Sequence, residues 1–193
     1  MRNDNSTILW QSFDYPSHAF LPGMKIGYDK RAGKTWSLTS WKSTEDPSPG
    51  VFSLEHDLNG TSQIFILQGS TRYWTSGTWN GQIFSLVPEM RVDYIFNYSY
   101  FINKDESYFN YSLYNSSIIS RVVLDVSGQI KQMTWIEDTH QWKLFWSQPR
   151  TQCQVYAYCE PSRICNLDSY EYCEYLPGFE PRSPRNWELQ DRS

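Results

Sequence analysis

All four cysteines of this chain lie in its last fifth, and that placement limits what the C-terminal part can be. Cys153, Cys159, Cys165 and Cys173 follow 152 residues that contain none, in a C-x5-C-x5-C-x7-C pattern. The surrounding segment, 152–177, has almost no aliphatic core, with Val155, Ile164, Leu167 and Leu176 scattered along it. So small and polar a stretch cannot bury enough apolar surface to hold itself together and needs covalent staples. An even count on loop-like spacing reads as two disulfides, formed in an oxidising compartment. Zinc is the weaker alternative, because structural zinc sites usually pair ligands roughly two to four residues apart.

A second signal agrees with the first. Acceptors of the form Asn-x-Ser/Thr occur at Asn5, Asn59, Asn97, Asn110 and Asn115, where chance would supply about two. Both signals point to the secretory pathway. The first residues, Met1 to Thr7, carry no apolar run of the signal-peptide kind, and no stretch of the chain is long and apolar enough to span a membrane. The expectation is a piece of a longer exported protein. With a net charge of −4 and Lys and Arg scattered along the chain, a nucleic-acid or anionic-membrane surface is disfavoured.

The 193 residues leave room for one main domain and a small appendage. Nine Trp, fourteen Tyr and ten Phe favour pleated, half-buried surfaces over helices. No segment keeps an i, i+3, i+4, i+7 apolar stripe; short alternating runs between turn signals fill the chain instead. Val51–Asp57 and Thr61–Leu67 read as a hairpin through Leu58-Asn59-Gly60, and Thr71–Thr75 follows the turn Gln68-Gly69-Ser70. Further strands are expected at 92–101, 107–114, 120–126, 129–135 and 141–146. The sum is an all-β chain of sandwich, barrel or prism type. Ile8–Phe13 reads as a lone strand whose partner lies in sequence the chain lacks, and Pro149 as the boundary of the cysteine segment.

The chemistry-bearing residues give little support for catalysis. His18, His56 and His140 are the only histidines, and His56 and Asp57 are neighbours on one strand, facing opposite ways. There is no phosphate loop, nucleophile elbow or paired metal-ligand spacing, so neither cofactor nor metal is expected. Trp74, Trp79 and Trp135 could line a groove, but strand-embedded Trp is read here as core. Exposed stretches at the sheet ends are better contact candidates. Gln68, Ser70 and Arg72 make one such group, Glu137 and His140 the other.

Several strings, in order, resemble plant S-domain proteins, the S-locus glycoproteins and G-type lectin S-receptor-like serine/threonine kinases. They are Leu9–Pro16 (LWQSFDYP), Leu21–Lys25 (LPGMK), Leu38–Ser43 with Asp46–Phe52, Tyr73–Gly81 (YWTSGTWNG) and Cys173–Pro181 (CEYLPGFEP). The resemblance implies a bulb-lectin-like β-prism followed by a small disulfide-rich EGF-like module. It divides the chain into a remnant of a first lectin-like domain (1–23), a second lectin-like domain (24–149), an incomplete EGF-like module (150–182) and a loosely ordered tail (183–193). The parent layout adds a PAN module, a membrane helix and a cytoplasmic kinase, none of whose residues is in this chain.

The family pattern further implies the pairs Cys153–Cys165 and Cys159–Cys173. Two positions depart from it: Glu160 stands where the family usually has Gly, and Tyr175 where it has a fifth cysteine. Functionally, the resemblance implies a non-catalytic extracellular recognition module, on the plasma-membrane face or secreted in the parent protein. It would bind a small cysteine-rich peptide or another S-domain ectodomain in pollen recognition or related cell-surface sensing. A carbohydrate-binding lectin is disfavoured, since the Gln-x-Asp-x-Asn-x-Val-x-Tyr string of mannose-binding prisms is absent. A nonfunctional truncated receptor product is the other alternative.

Overall fold

A computed structural model of the chain describes residues 11–91 and 94–179. The chain divides into two compact units, Met1–Arg150 and Thr151–Ser193. In the first, strands β1 (Ala19–Phe20), β2 (Ile26–Asp29), β3 (Lys34–Trp36), β4 (Leu38–Trp41), β5 (Pro49–His56), β6 (Ile64–Gln68), β7 (Thr71–Thr75), β8 (Phe96–Ile102), β9 (Glu106–Leu113), β10 (Ser120–Leu124), β11 (Ile130–Ile136) and β12 (Gln141–Gln148) build three four-stranded antiparallel sheets. Their spatial orders are β3-β2-β9-β8, β4-β5-β6-β7 and β1-β10-β11-β12, called here the first, second and third sheets. Among the described residues there is no α-helix, only 3-10 turns.

Period-two alternation decides which side chains go inside. On β5, Phe52, Leu54 and His56 are buried; on β9, Ser107, Phe109 and Tyr111; on β10, Ser120, Val122 and Leu124. All three sheets feed a single core. Ile26, Phe96, Phe109 and Tyr111 come from the first, Leu38, Leu54, Ile66 and Trp74 from the second, and Phe20, Val122, Leu124, Ile130 and Trp146 from the third. The result is a three-sided β-prism. The two-residue strand β1, inside the stretch 1–23, pairs with β10 through Ala19↔Val123 and Phe20↔Val122. Phe20 is only 1% exposed and meets the rings of Phe109 and Tyr111.

The β5–β6 hairpin forms around a wider loop than Leu58-Asn59-Gly60. His56 pairs with Ile64, leaving seven residues, 57–63, between the strands. The reason is Asp57, whose side chain is buried and organises the loop. Its carboxylate accepts the Asn59 N–H at 3.0 Å and the Thr61 N–H at 3.2 Å, and the Thr61 hydroxyl also donates to it. Burial works against ionisation, yet the bonds from Thr61 and Asn59 outweigh it and hold this carboxyl below the usual carboxylate range. By contrast, β6 and β7 turn in two residues: Gln68 pairs with Thr71, and Gly69, at φ 60, supplies the left-handed step.

The described part of the Ile8–Phe13 strand expectation is corrected. Ser12–Asp14 is a 3-10 turn, in which Asp14 N–H donates to Gln11 O and Gln11 Nε2 to the Asp14 carboxylate at 2.9 Å. This local bonding competes with extended structure. Residues 8–10, Val92 and Asp93 of the next-expected strand, Asn5, and the 183–193 tail lie outside the described residues.

In the second unit, β13 (Arg163–Cys165) and β14 (Cys173–Tyr175) form a two-stranded sheet. Cys165 and Cys173 are directly paired across it, and each is bridged elsewhere, to Cys153 and Cys159 respectively. No cysteine is free. No described residue of this unit is fully buried, so the bridges replace a core; closing loops of this length contributes about 2–4 kcal/mol each. The two departures from the family pattern meet at Arg163. Its guanidinium lies 4.5 Å from the Tyr175 ring centre, donates to the Tyr175 hydroxyl at 2.6 Å and pairs with Glu160 at 3.3 Å.

Two outcomes follow. Cys159→Ser in the chain expressed with a secretion signal is expected to lose protection from proteolysis across 151–179 while 19–148 stays protected; equal protection in both variants would remove the structural role of that bridge. The second concerns pH. Burial lowers the His56 pKa, with a smaller contribution from Lys30 against the opposing Asp57, and burial and Arg121 lower that of His18. The unfolded chain then binds more protons in the window below about 6.5. Urea unfolding should show stability rising with pH up to that value and level above it, with a smaller slope in His56→Gln.

Candidate recognition surface

The outer face of the third sheet is built from the residues that alternate with the core. Arg121 on β10, Met133 on β11 and Leu144 on β12 form one row across the sheet, and Trp135 and Trp142 the next. The Arg121 guanidinium sits 4.0 Å from the Trp142 ring centre, and the Trp135 and Trp142 rings meet edge to face at 5.6 Å. Ile119 joins the Trp row, its carbonyl accepting the Trp135 N–H at 2.9 Å. Ile119 is 56% and Leu144 48% exposed. Among the described residues β12 is an edge strand, with β11 as its neighbour in the sheet order. Arg121 Nε is buried without a hydrogen-bond partner among the described residues, and burial lowers the pKa of the guanidinium from its ordinary value.

Glu137 and His140 stand at the rim of this face. The β11–β12 connection is a 3-10 turn, Glu137–Thr139, closed by His140 in the left-handed region at φ 50. Both residues are tied to one tryptophan. The Trp135 indole N–H donates to the Glu137 carboxylate at 2.7 Å, and the His140 ring meets the Trp135 ring edge-on at 6.3 Å.

Gln68, Ser70 and Arg72 occupy the β6–β7 turn. All three are exposed, and the Arg72 guanidinium covers the Phe65 ring at 4.1 Å. This turn lies at the same end of the prism as the β10–β11 turn. Phe52, the register partner of Gln68, lies 2.6 Å from where a Cβ on Gly128 would be. Seven-residue β11 then runs about 20 Å to Glu137. The two groups of candidates therefore stand at opposite ends of the prism and make two sites.

Other candidate residues fall elsewhere. Trp74 is 4% exposed and belongs to the core, with Trp79 packed against it. Trp135 is the correction: it lies outside the core, on the outer face just described. His56 is buried, its Nε2 shared between the hydroxyls of Tyr100 and Ser107 and its Nδ1 without a partner among the described residues. Enclosed in this way, the Ser107–His56 pair is a polar clip between the first two sheets. Asn59 and Asn115 are exposed in turns, while Asn97 and Asn110 face outward on β8 and β9. No described acceptor asparagine is on β1, β10, β11 or β12.

Comparison with known proteins adds the lineage. The family described as "S-locus glycoprotein domain" matches residues 74–183, and the one described as "D-mannose binding lectin" matches residues 1–42. The chain belongs to the S-domain family. A G-type lectin S-receptor-like serine/threonine-protein kinase of Arabidopsis thaliana is 55% identical over 98% of this chain, which corresponds to 23% of that protein. An S-locus-specific glycoprotein of Brassica oleracea is 37% identical over 96% of this chain and 43% of its own length. The chain thus spans about a quarter of the kinase relatives and under half of the glycoproteins. The prism is the bulb-lectin-like fold of this family, and the bridged segment is a small disulfide-rich module. No helix among the described residues is long and apolar enough to cross a membrane.

Core and surface tryptophans should differ in what their removal costs. Trp74→Ala is expected to destabilise the first unit by about 3–5 kcal/mol in urea unfolding. Trp142→Ala should cost about 1 kcal/mol, the scale of an aromatic or cation–π contact at a wet surface. Equal costs would place Trp142 in the core.

Proposed function

We propose that this S-domain chain is a non-catalytic extracellular recognition module, and that the outer face of its third sheet is the contact surface. The observation that carries the reading is the Arg121–Trp142–Trp135 stack on an edge-strand sheet, flanked by exposed Ile119 and Leu144. Trp and Arg dominate the residues that carry binding energy in protein interfaces. The positive charge that the Arg121 guanidinium brings to this face, over the Trp142 ring, favours a partner that supplies a carbonyl or carboxylate there. Of the described acceptors, Asn97 and Asn110 lie on the first sheet and Asn59 and Asn115 in loops, with none on these four strands.

The partner on this reading is a small cysteine-rich peptide or a second S-domain ectodomain, and Glu137 and His140 contribute at its rim. The Gln68–Ser70–Arg72 turn is a separate, second contact region. In the whole protein the disulfide-rich module is EGF-like, and recognition outside the cell is passed to a kinase in the receptor members of the family. Pollen recognition of the self-incompatibility type is the process this implies. Direct sugar binding is the second reading, favoured by the match of residues 1–42 to the D-mannose binding lectin family.

The test is surface plasmon resonance of the secreted chain against a panel of secreted cysteine-rich peptides and against itself. For whichever probe binds, Trp142→Ala and Arg121→Ala should weaken affinity about tenfold or more, with Gln68→Ala unchanged or weakened less. Binding that survives both substitutions would move the contact surface off the third sheet. Retention on immobilised mannose, released by free mannose, would support the lectin reading instead.

A further inference from the structure

Two of the glycosylation acceptors are locked to each other. On the first sheet, β8 and β9 pair so that Asn97 faces Ser112, Tyr98 faces Tyr111 and Ser99 faces Asn110. The sequon Asn97-Tyr98-Ser99 is therefore laid antiparallel, in register, on the sequon Asn110-Tyr111-Ser112. Each acceptor meets the hydroxyl of the other sequon. Asn97 Nδ2 donates to Ser112 Oγ at 3.5 Å, and the Ser99 hydroxyl donates to Asn110 Oδ1. The middle residues anchor the pair from the opposite side. Tyr111 is 1% exposed, donates from its hydroxyl to the Phe20 carbonyl at 3.3 Å, and packs against the rings of Phe20 and Phe96. Tyr98 packs on Phe109 and accepts the Trp146 indole N–H at 3.3 Å.

We propose that Asn97 and Asn110 form one coupled modification site that accepts oligosaccharide only before β8 and β9 pair. Transfer joins the asparagine Nδ2 to the anomeric carbon of the first sugar of a lipid-pyrophosphate oligosaccharide. That carbon's bond to the pyrophosphate breaks, the lipid pyrophosphate leaves with the electron pair, and one amide proton passes to the transferring enzyme. The enzyme must grip the sequon as a separate extended strand and bind its Ser hydroxyl. In the folded hairpin both requirements fail together. Peeling away either sequon breaks the ladder, frees the other sequon's partner and pulls Tyr98 or Tyr111 from the core. Asn115 stands in contrast. It is exposed in the turn between β9 and β10, where Ser117 N–H donates to its own Oδ1 at 2.9 Å, and no ladder holds it. Occupancy at Asn97 and Asn110 is thus decided by a race between transfer and hairpin closure, and the two sites share one fate.

The experiment offers the full chain, refolded without glycans and with both disulfides formed, to purified oligosaccharyltransferase and its lipid-linked oligosaccharide. A reduced, unfolded sample runs in parallel, and glycopeptide mass spectrometry reads each asparagine. The expected result is that Asn97 and Asn110 are modified about tenfold or more slowly when folded, in line with access by local opening, while Asn115 changes less than about threefold. Equal loss at all three sites, or modification of folded Asn97 or Asn110 at the unfolded rate, overturns the proposal. If the chain does not refold without glycans, native secreted glycoprotein is treated with peptide N-glycanase. Release from Asn115 should then precede release from Asn97 and Asn110, which follow on denaturation; release of all three together overturns the proposal.

Discussion

The packing of Phe20 against Phe109 and Tyr111 is the contact on which the rest of the first unit depends. Phe20 lies on a strand of two residues that has little ladder to hold it. Its ring nevertheless closes the edge of the third sheet onto the middle strand of the first, and its carbonyl takes the Tyr111 hydroxyl. Three antiparallel sheets share one core by interdigitating the side chains of their inner faces. Rings carry that duty here: Phe96 on β8 meets Phe145 on β12, and Trp79, in the stretch after β7, meets Phe109 on β9 and Phe84. The aromatic richness of the sequence is largely this joinery. The second unit solves the same problem by other means, replacing packed rings with two covalent bridges and an Arg163–Tyr175–Glu160 cluster.

A closed core frees the outer faces to differ. The third sheet's face carries the Arg121–Trp142–Trp135 stack, while the first sheet's face carries the paired sequons on β8 and β9. On the proposed reading the acceptor asparagines of β8 and β9 and the protein-contacting face lie on different sheets, with strands beneath both. Rigid support matters for recognition, because contact residues already in place cost less entropy to order on binding.

Much of the strand pattern was legible in the sequence, since Phe52-Ser53-Leu54 and Phe109-Asn110-Tyr111 alternate cleanly and Gly69 marks a tight turn. The wide 57–63 loop was not, because a buried Asp57 organises it and short-range composition points to Asn59-Gly60 instead. The outer stack escaped for a sharper reason. Trp142, Leu144 and Trp146 share one parity, so alternation alone puts all three on one face. The structure pairs Met133 with Leu144 but Gln132 with Trp146, leaving Phe145 as an extra residue. That bulge flips the strand, sending Trp146 inward and Trp142 and Leu144 outward. Buried Gln132, whose Nε2 donates to Ser120 Oγ at 2.7 Å, hides the inner face of β11 in the same way. Trp135 then reads as core when it is surface. Family resemblance supplied the lineage and the three-sided architecture, which alternation by itself left open among several β folds.

Native-state hydrogen exchange tests the shared core most directly. If one aromatic core joins the three sheets, the slowest amides of β5, β9 and β10 open with a common free energy, and Phe20→Ala lowers all of them by the same amount. Sheets that open at separate free energies, with Phe20→Ala felt only on β1 and β10, would contradict the account.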